Sequence, residues 1–424
     1  MSGAISPGQA LRQTFPKMTS TLPDPIRALP TDIAPSSSEE DAHLLRLQGY
    51  LRDDPDNEFL LAEAFDAALA CGQWSIAAQY VRQAFALRPD DAKWTLRKAH
   101  LHMATADFDL ARRELESLAY RSDARSELSD ILLHDLSFID LHRNEVAACV
   151  SRLTPRMALT RDMVERASAW PASLVSLWLR ALHRQGELQN ALDWLQAWPI
   201  DETEWPPEIA GVASLVALDA QRLDCAQRWS DQALRQPERS GGPRSAEAWL
   251  TQASLALLMH DTARARHCAG HAAALRPEEG RVISTSAFID LQTGQFEMAR
   301  AGFLRALRLM PRHIGTWHGL GWTQVLQLDL PSAQSSFESA LSLAPNFADS
   351  HGALAVVAVL RKDPSTAQNR LRRATRLNPA NLPGQIAKSI LDGTITDASA
   401  LQQHLQHLVS VHPEEGASWA VDQG

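Results

Sequence analysis

The chain is 424 residues long, 45% hydrophobic, and carries a formal charge of −9 at pH 7. That balance excludes a whole-chain basic footprint for nucleic acid, and a chain this apolar can bury a large core. The four cysteines lie far apart with no C-x-x-C pair, which excludes a zinc or disulfide framework and fits a reducing compartment.

No apolar run reaches the roughly 18 residues a membrane span needs, so no membrane insertion is expected. The opening "MSGAISPGQALRQTFPKMTSTLPDP" has no unbroken apolar stretch of secretory type, and the chain reads as soluble and cytoplasmic. Residues 1–40 are rich in Ser, Thr and Pro with little periodicity. They are expected to be disordered or to lie extended on the rest of the molecule.

Residues 41–125 read as N-terminal helix–turn–helix units. The unit at 58–91 carries Gly72, Ala77, Ala84 and Pro89, and the unit at 92–125 carries Ala111 within "ADFDLARRELESL". Residues 126–245 are helical in pattern but irregular. The stretch 126–171 fits the unit poorly, whereas 172–205 (Gly186, Ala191) and 207–240 (Ala226, Ala233) fit it better. "AWPIDETEWPPE" at 197–208 and "RSGGPRS" at 239–245 break the register, and longer helices or a bend are expected there.

Residues 246–381 are the most regular. Pro277, Pro311, Pro345 and Pro379 follow one another at a spacing of 34, each two residues after a leucine. Five residues before them stand Ala272, Ala306, Ala340 and Ala374, and twelve before them Ala265, Ala299, Ala333 and Ala367. Fixed self-similarity at this period marks a solenoid. Each unit reads as helix, short turn, helix, Leu-x-Pro. Alanine lets two antiparallel helices approach closely. Gly294 suits the left-handed conformation that ends a first helix, and proline cannot continue a second one. One such hairpin cannot bury its own apolar face, so stacked neighbours bury it for each other. In 382–424, "SALQQHLQHLVSVH" is amphipathic and is expected to cap the open end of the array. The fold class expected is all-α: an α-solenoid of antiparallel helix pairs with an irregular helical middle.

This pattern resembles the tetratricopeptide repeat (TPR). With Ile314 as the first residue of a unit, Trp317, Leu320, Gly321, Ala333, Phe337, Ala340 and Pro345 stand at the repeat's positions 4, 7, 8, 20, 24, 27 and 32. The units at 58–91, 246–279, 280–313 and 348–381 match at subsets of these positions. The resemblance implies a right-handed superhelix whose first helices line a concave groove, and a protein partner bound in that groove. Position 9 of the first helix gives Phe288, Trp322 and Val356 in three successive units, and position 13 gives Leu326 in the second of them. Phe288 and Trp322 are expected to face the groove, with Val356 and Leu326 extending an apolar strip that would suit an amphipathic helix or an extended peptide. Lys93 and Arg97 match the basic pair of the family's chaperone-tail clamp within one unit, but the required partners in preceding units are missing. Binding of such a tail is therefore not expected.

No catalytic or nucleotide motif is present, and no cofactor or metal is expected. Gly315, Gly319 and Gly321 fall inside a repeat helix, where close packing is their role. His267 and His271, four apart on a second helix, lack a third ligand and read as solvated. His318 and His351, in neighbouring units, are expected to meet in a polar contact on the inner wall. The acidic stretch 36–58 reads as a solvated face. Charge is uneven: 280–380 holds eleven basic and six acidic residues, whereas 39–70 holds two and nine. Such asymmetry would orient a bipolar partner or let two copies meet head to tail. The function expected is a non-enzymatic scaffold, assembly factor or chaperone holding a segment of another protein, in the style of bacterial secretion or envelope assembly. A regulatory sensor module is the alternative, and an enzyme would have to hide its site in 126–245.

Overall fold

Helix starts are set locally by capping side chains. Asn57 Oδ1 accepts from the backbone N–H groups of Phe59 and Leu60, both at 3.1 Å, and Asp91 Oδ1 from those of Lys93 and Trp94 at 2.7 and 3.1 Å. Asp261, Asp329 and Asp363 cap three second helices in the same way. The computed structural model describes residues 38–121, 128–158, 170–235 and 245–395. Among them are twenty α-helices, one 3-10 turn and no strand. The N-terminal arm up to residue 37 and the amphipathic stretch 399–412 lie outside the described residues.

The chain divides into two compact units, Met1–Asp107 and Phe108–Gly424. The first contains α1 (Ser38–Asp53), α2 (Glu58–Ala70), α3 (Trp74–Leu87) and α4 (Ala92–Ala104). Here Phe65 is fully buried and meets Trp94 edge-on at 6.0 Å, above Ala77 and the nearly buried Ala84.

The second unit begins with α5 (Phe108–Arg121), α6 (Leu128–His142), α7 (Val146–Met157), α8 (Ala172–Gln185), α9 (Leu188–Ala197), α10 (Pro207–Asp219) and α11 (Leu223–Leu234). It continues with α12 (Ala246–Leu258), α13 (Thr262–Leu275), α14 (Gly280–Gln292), α15 (Phe296–Leu309), α16 (Ile314–Leu326), α17 (Leu330–Leu343), α18 (Ala348–Leu360), α19 (Pro364–Leu377) and α20 (Leu382–Leu391). From α6 onward the helices pack as pairs, each first helix against its second and also against the first helix of the next pair up to α16. The final helix, α20, closes on α18 and α19.

The repeat alanines sit where helices touch. Ala265, Ala272, Ala299, Ala306, Ala333, Ala340, Ala367 and Ala374 are all fully buried. The carbonyls of Ala272, Ala306, Ala340 and Ala374 accept the backbone N–H of the residue that ends each second helix, just before the proline. Turns inside the pairs share one left-handed residue. Gly294 takes it as its sequence predicts, at φ 76°, but so do His260 (58°), Leu328 (61°) and Lys362 (62°). Side chains disfavour this conformation by about 1–2 kcal/mol. The pairing geometry therefore imposes the turn whether or not glycine is present.

Among its described residues the irregular middle holds one helix longer than those of the regular array, and by a single residue, Leu128–His142. Between residues 128 and 234 the helices run from 10 to 15 residues, against 13 and 14 in the regular array. The departure from register lies instead in connections. Residues 198–206 join α9 to α10 through the turn Glu202–Glu204, and Pro207 opens α10 at its first position. Pairs in the regular array are joined by only four residues, such as 276–279.

Candidate functional site

First helices of successive pairs are stitched together by buried polar side chains. Ser214 Oγ meets Thr251 Oγ1 at 3.0 Å (α10 to α12), Ser284 Oγ meets Thr316 Oγ1 at 3.0 Å (α14 to α16), and His318 Nε2 meets Ser350 Oγ at 2.8 Å (α16 to α18). His351 Nε2 bonds the carbonyl of Pro345 at 3.0 Å.

Charged side chains reach further, across alternate repeats. Arg281 of α14 grips Asp219 of α10 with two bonds of 2.8 Å, and His183 of α8 meets the same carboxylate at 2.7 Å. Arg180 of α8 donates to Glu247 of α12 at 2.9 Å, and Arg276 donates to Glu247 at 3.0 Å and to Glu279 at 3.2 Å. Burial opposes charge on Asp219 and Glu247. The guanidinium groups outweigh it and hold both carboxyls well below the usual carboxylate range. Burial likewise opposes the charge on Arg281, and Asp219 overcomes it, so this guanidinium is held more firmly protonated than usual. These first helices therefore form one wall bound by ion pairs that skip a repeat.

The predicted apolar strip lies differently. Trp322 is 1% exposed and Val356 is fully buried, so neither faces a groove. Trp322 meets Phe337 edge-on at 5.1 Å, within a core that includes Val356. The cause is close approach at glycines. A Cβ on Gly321 would stand 2.5 Å from Phe337, one on Gly319 2.5 Å from Phe303, and one on Gly352 2.5 Å from Asn381 Oδ1. With no side chain at those positions, neighbouring helices close over the rings. Phe288 and Leu326 remain half-buried, and Phe288 packs edge-on to Phe303 at 4.8 Å. On α14, Arg281, Thr285, Phe288 and Gln292 are all half-buried and spaced to share one side of the helix.

Lys93 is exposed, but Arg97 is committed to Asp66 at 3.3 Å and lies over the Trp94 ring at 5.2 Å. The pair therefore does not present two free cations. His271 stacks on Trp249 at 4.3 Å and meets His267 at 3.2 Å, so these histidines contact each other and an aromatic ring as well as solvent. None of the four cysteines forms a disulfide, and burial pushes the Cys149 thiol up to about 12.

All four pairs of the regular array thus keep buried alanines 34 residues apart before a proline, and the two middle pairs add a glycine contact and a buried phenylalanine, Phe303 and Phe337. The repeat is a helix pair of 34 residues, as the resemblance to the tetratricopeptide repeat led one to expect. No protein-family model and no curated protein matches the sequence. Solved TPR structures are similar in part. The YrrB structure, described as a TPR protein with an unusual peptide-binding site, aligns at 17% identity over 43% of this chain and 91% of that chain, with a TM-score of 0.32. A TPR protein of Parabacteroides merdae aligns at 15% identity over 66% and 99%, with a TM-score of 0.39. The PilF protein of Pseudomonas aeruginosa aligns at 17% identity over 54% and 99%, with a TM-score of 0.38.

Two features of this helical array carry no signal in the sequence. The ion-pair wall draws residues from positions that differ between repeats, 9 and 13 in one unit and 2 in another, so no periodic signal announces it. The second feature is a stack of five nearly buried tryptophans, Trp170, Trp194, Trp198, Trp205 and Trp229, with successive centroids 6.1, 5.6, 6.1 and 5.1 Å apart. Trp198, Trp205 and Trp229 border a cavity of about 500 Å³ with Glu202, Arg222 and Cys225. The richness in tryptophan was visible in the composition, but not its convergence.

The buried histidines make the array acid-sensitive. Burial pushes His318 and His313 down to about 3. Above the ordinary value of about 6.5 neither state is protonated and there is no penalty. As pH falls below it, the unfolded chain takes up protons that the folded chain refuses, and stability is lost at up to about 1.4 kcal/mol per pH unit for each histidine. The melting temperature should therefore fall steadily from pH 7 to pH 4. Thermal melts of His318→Gln should show a shallower fall than wild type. Equal slopes would mean that His318 is not held neutral.

Proposed function

We propose that the protein is a non-enzymatic scaffold that holds a segment of a partner protein along the first-helix wall of its second unit. The observation behind this reading is the wall itself. First helices from α8 to α16 lie side by side, tied across successive and alternate repeats, so they offer one continuous surface rather than separate pockets. A surface of that length suits an extended or helical segment. Phe288 and Leu326, the half-buried members of the predicted strip, supply its apolar contacts. A role in secretion or envelope assembly, as assembly factor or chaperone, is the setting this reading favours.

Cross-linked capture from the native host, followed by hydrogen exchange with and without the captured protein, tests the reading. Protection is expected in α12 and α14 and not in α13 and α15. Phe288→Ala is expected to lose at least tenfold in capture while its melting temperature stays within a few degrees of wild type. Protection confined to second helices would sink the proposal.

A further inference from the structure

The ion pairs of the wall do not balance. Four guanidinium groups, those of Arg180, Arg184, Arg276 and Arg281, share three carboxylates, those of Asp219, Glu247 and Glu279. Three of the four have a carboxylate within 3.2 Å. Arg184 has none among the described residues. Its one hydrogen bond of this kind runs from Nη1 to the backbone carbonyl of Leu141 at 3.0 Å. By contrast, the ion-pair network of α5, α6 and α7 is matched, with Arg112, Arg143 and Arg152 against Asp109, Asp140 and Glu145.

Arg184 is also placed to receive a ligand. It keeps part of its surface in solvent and stands one turn from Arg180 on the same side of α8. The partner of Arg180, Glu247, also holds Arg276. Burial is the larger influence on Arg184 and lowers its proton affinity, while Glu279, Arg180 and Arg276 all act on its charge. Glu279 already bonds Arg276, so its charge is shared. His142, at the end of α6, keeps one edge in solvent while its ring packs on Phe138 at 3.9 Å. Burial of its ring pushes it down to about 4, and Arg184, Arg276 and Arg180 act in the same direction. The imidazole is therefore neutral at pH 7 and adds no charge of its own. The local balance is one positive charge, held at the rim of a wall that otherwise neutralises itself.

We propose that Arg184 receives a side-chain carboxylate from an acidic segment of a partner protein, completing the ion-pair set of the first-helix wall. This rests on the scaffold reading and specifies the chemistry of the segment held. A guanidinium fork fits a carboxylate bidentately, and such charge-assisted bonds are the strong ones. The other guanidinium groups of the wall stay engaged with their own carboxylates, which limits the site to one or two acidic side chains and gives it a fixed register.

The test is fluorescence anisotropy of the full chain with a labelled hexaglutamate peptide, with hexaglutamine as the uncharged control and inorganic phosphate as competitor. Hexaglutamate is expected to bind and hexaglutamine not, with affinity falling as salt rises. Arg184→Gln should weaken binding at least tenfold, Arg184→Lys should recover part of it, and Arg312→Gln, an exposed arginine outside the network, should leave it unchanged. Thermal melts of each variant separate lost binding from lost folding, since Arg184 also caps the α6 carbonyl of Leu141. Wild-type affinity in Arg184→Gln would overturn the proposal. So would displacement of the peptide by phosphate at equal concentration, which would make the site a small-anion site. If Arg184→Gln still captures the cellular partner while Phe288→Ala does not, the scaffold reading stands and this inference falls.

Discussion

Trp322→Ala will lower the stability of the second unit by about 3–5 kcal/mol, the usual cost of emptying a fully buried aromatic site. The ring is 1% exposed and is the largest of the fully buried side chains. It fills the joint between α16, α17 and α18, against Phe337 and beside Val325, Leu354 and Val357. The surrounding helices cannot collapse onto the space, because Gly321 already brings α16 as near to Phe337 as backbone allows. Chemical denaturation of wild type and variant measures the loss. A decrease below about 1 kcal/mol would place the ring outside the core and return it to the groove. Phe288→Ala should cost less, since that ring is only half-buried.

The second large effect is expected at Asp219. Removing its carboxylate by Asp219→Ala leaves the half-buried Arg281 without the acceptor of its two bonds and His183 without its acceptor. Breaking one side of such a pair typically costs about 3–5 kcal/mol. Removing both sides should cost far less, because two well-packed neutral side chains leave no orphaned charge. Asp219→Ala with Arg281→Met is therefore expected to recover most of the stability lost in the single variant, measured by denaturant titration. A double variant as unstable as the single one would show that packing, not charge, holds the wall. Acid adds a second signature. The folded-state affinities of Asp219 and Glu247 for a proton are both depressed. Their contribution is fully present above about pH 4, the ordinary carboxylate range, and is lost as pH falls below it. Wild type should therefore show an additional drop in melting temperature below pH 4, beyond the histidine-driven decline. Asp219→Ala should lack Asp219's share of that drop.

The order of these effects follows from where each group's partners come from. The alanines at 265, 299, 333 and 367 meet helices a few residues away along the chain, so a 34-residue count was enough to find them. The predicted left-handed turn at Gly294 is of the same kind. The sequence did not reveal the same turn at Leu328 or Lys362, because there the pairing of the helices, not the residue, sets the backbone.

Position 9 illustrates the limit. One repeat position holds Arg180, Phe288, Trp322 and Val356, and the structure uses it in different ways. Arg180 reaches an acid two repeats on, Phe288 stays half-buried, and Trp322 and Val356 are sealed in. The difference lies in the neighbours: glycines at 319, 321 and 352 let the last repeats close, whereas α8 meets no such closure. A periodic pattern reports the direction of a side chain from its own helix, not how near the next helix comes.

The sequence by itself determined that the chain is all-α, that helices pair every 34 residues, and which small residues hold the pairs together. Those facts depend on short-range periodicity, which local spacing encodes directly. Only the tertiary structure decided that Trp322 belongs to the core, that five tryptophans stack along the middle, and that Arg180, Asp219, Glu247 and Arg281 form one wall. Those contacts join residues 62 and 67 positions apart, across a register that shifts between repeats. Distances of that kind are fixed by how the helix pairs stack, which no single repeat specifies.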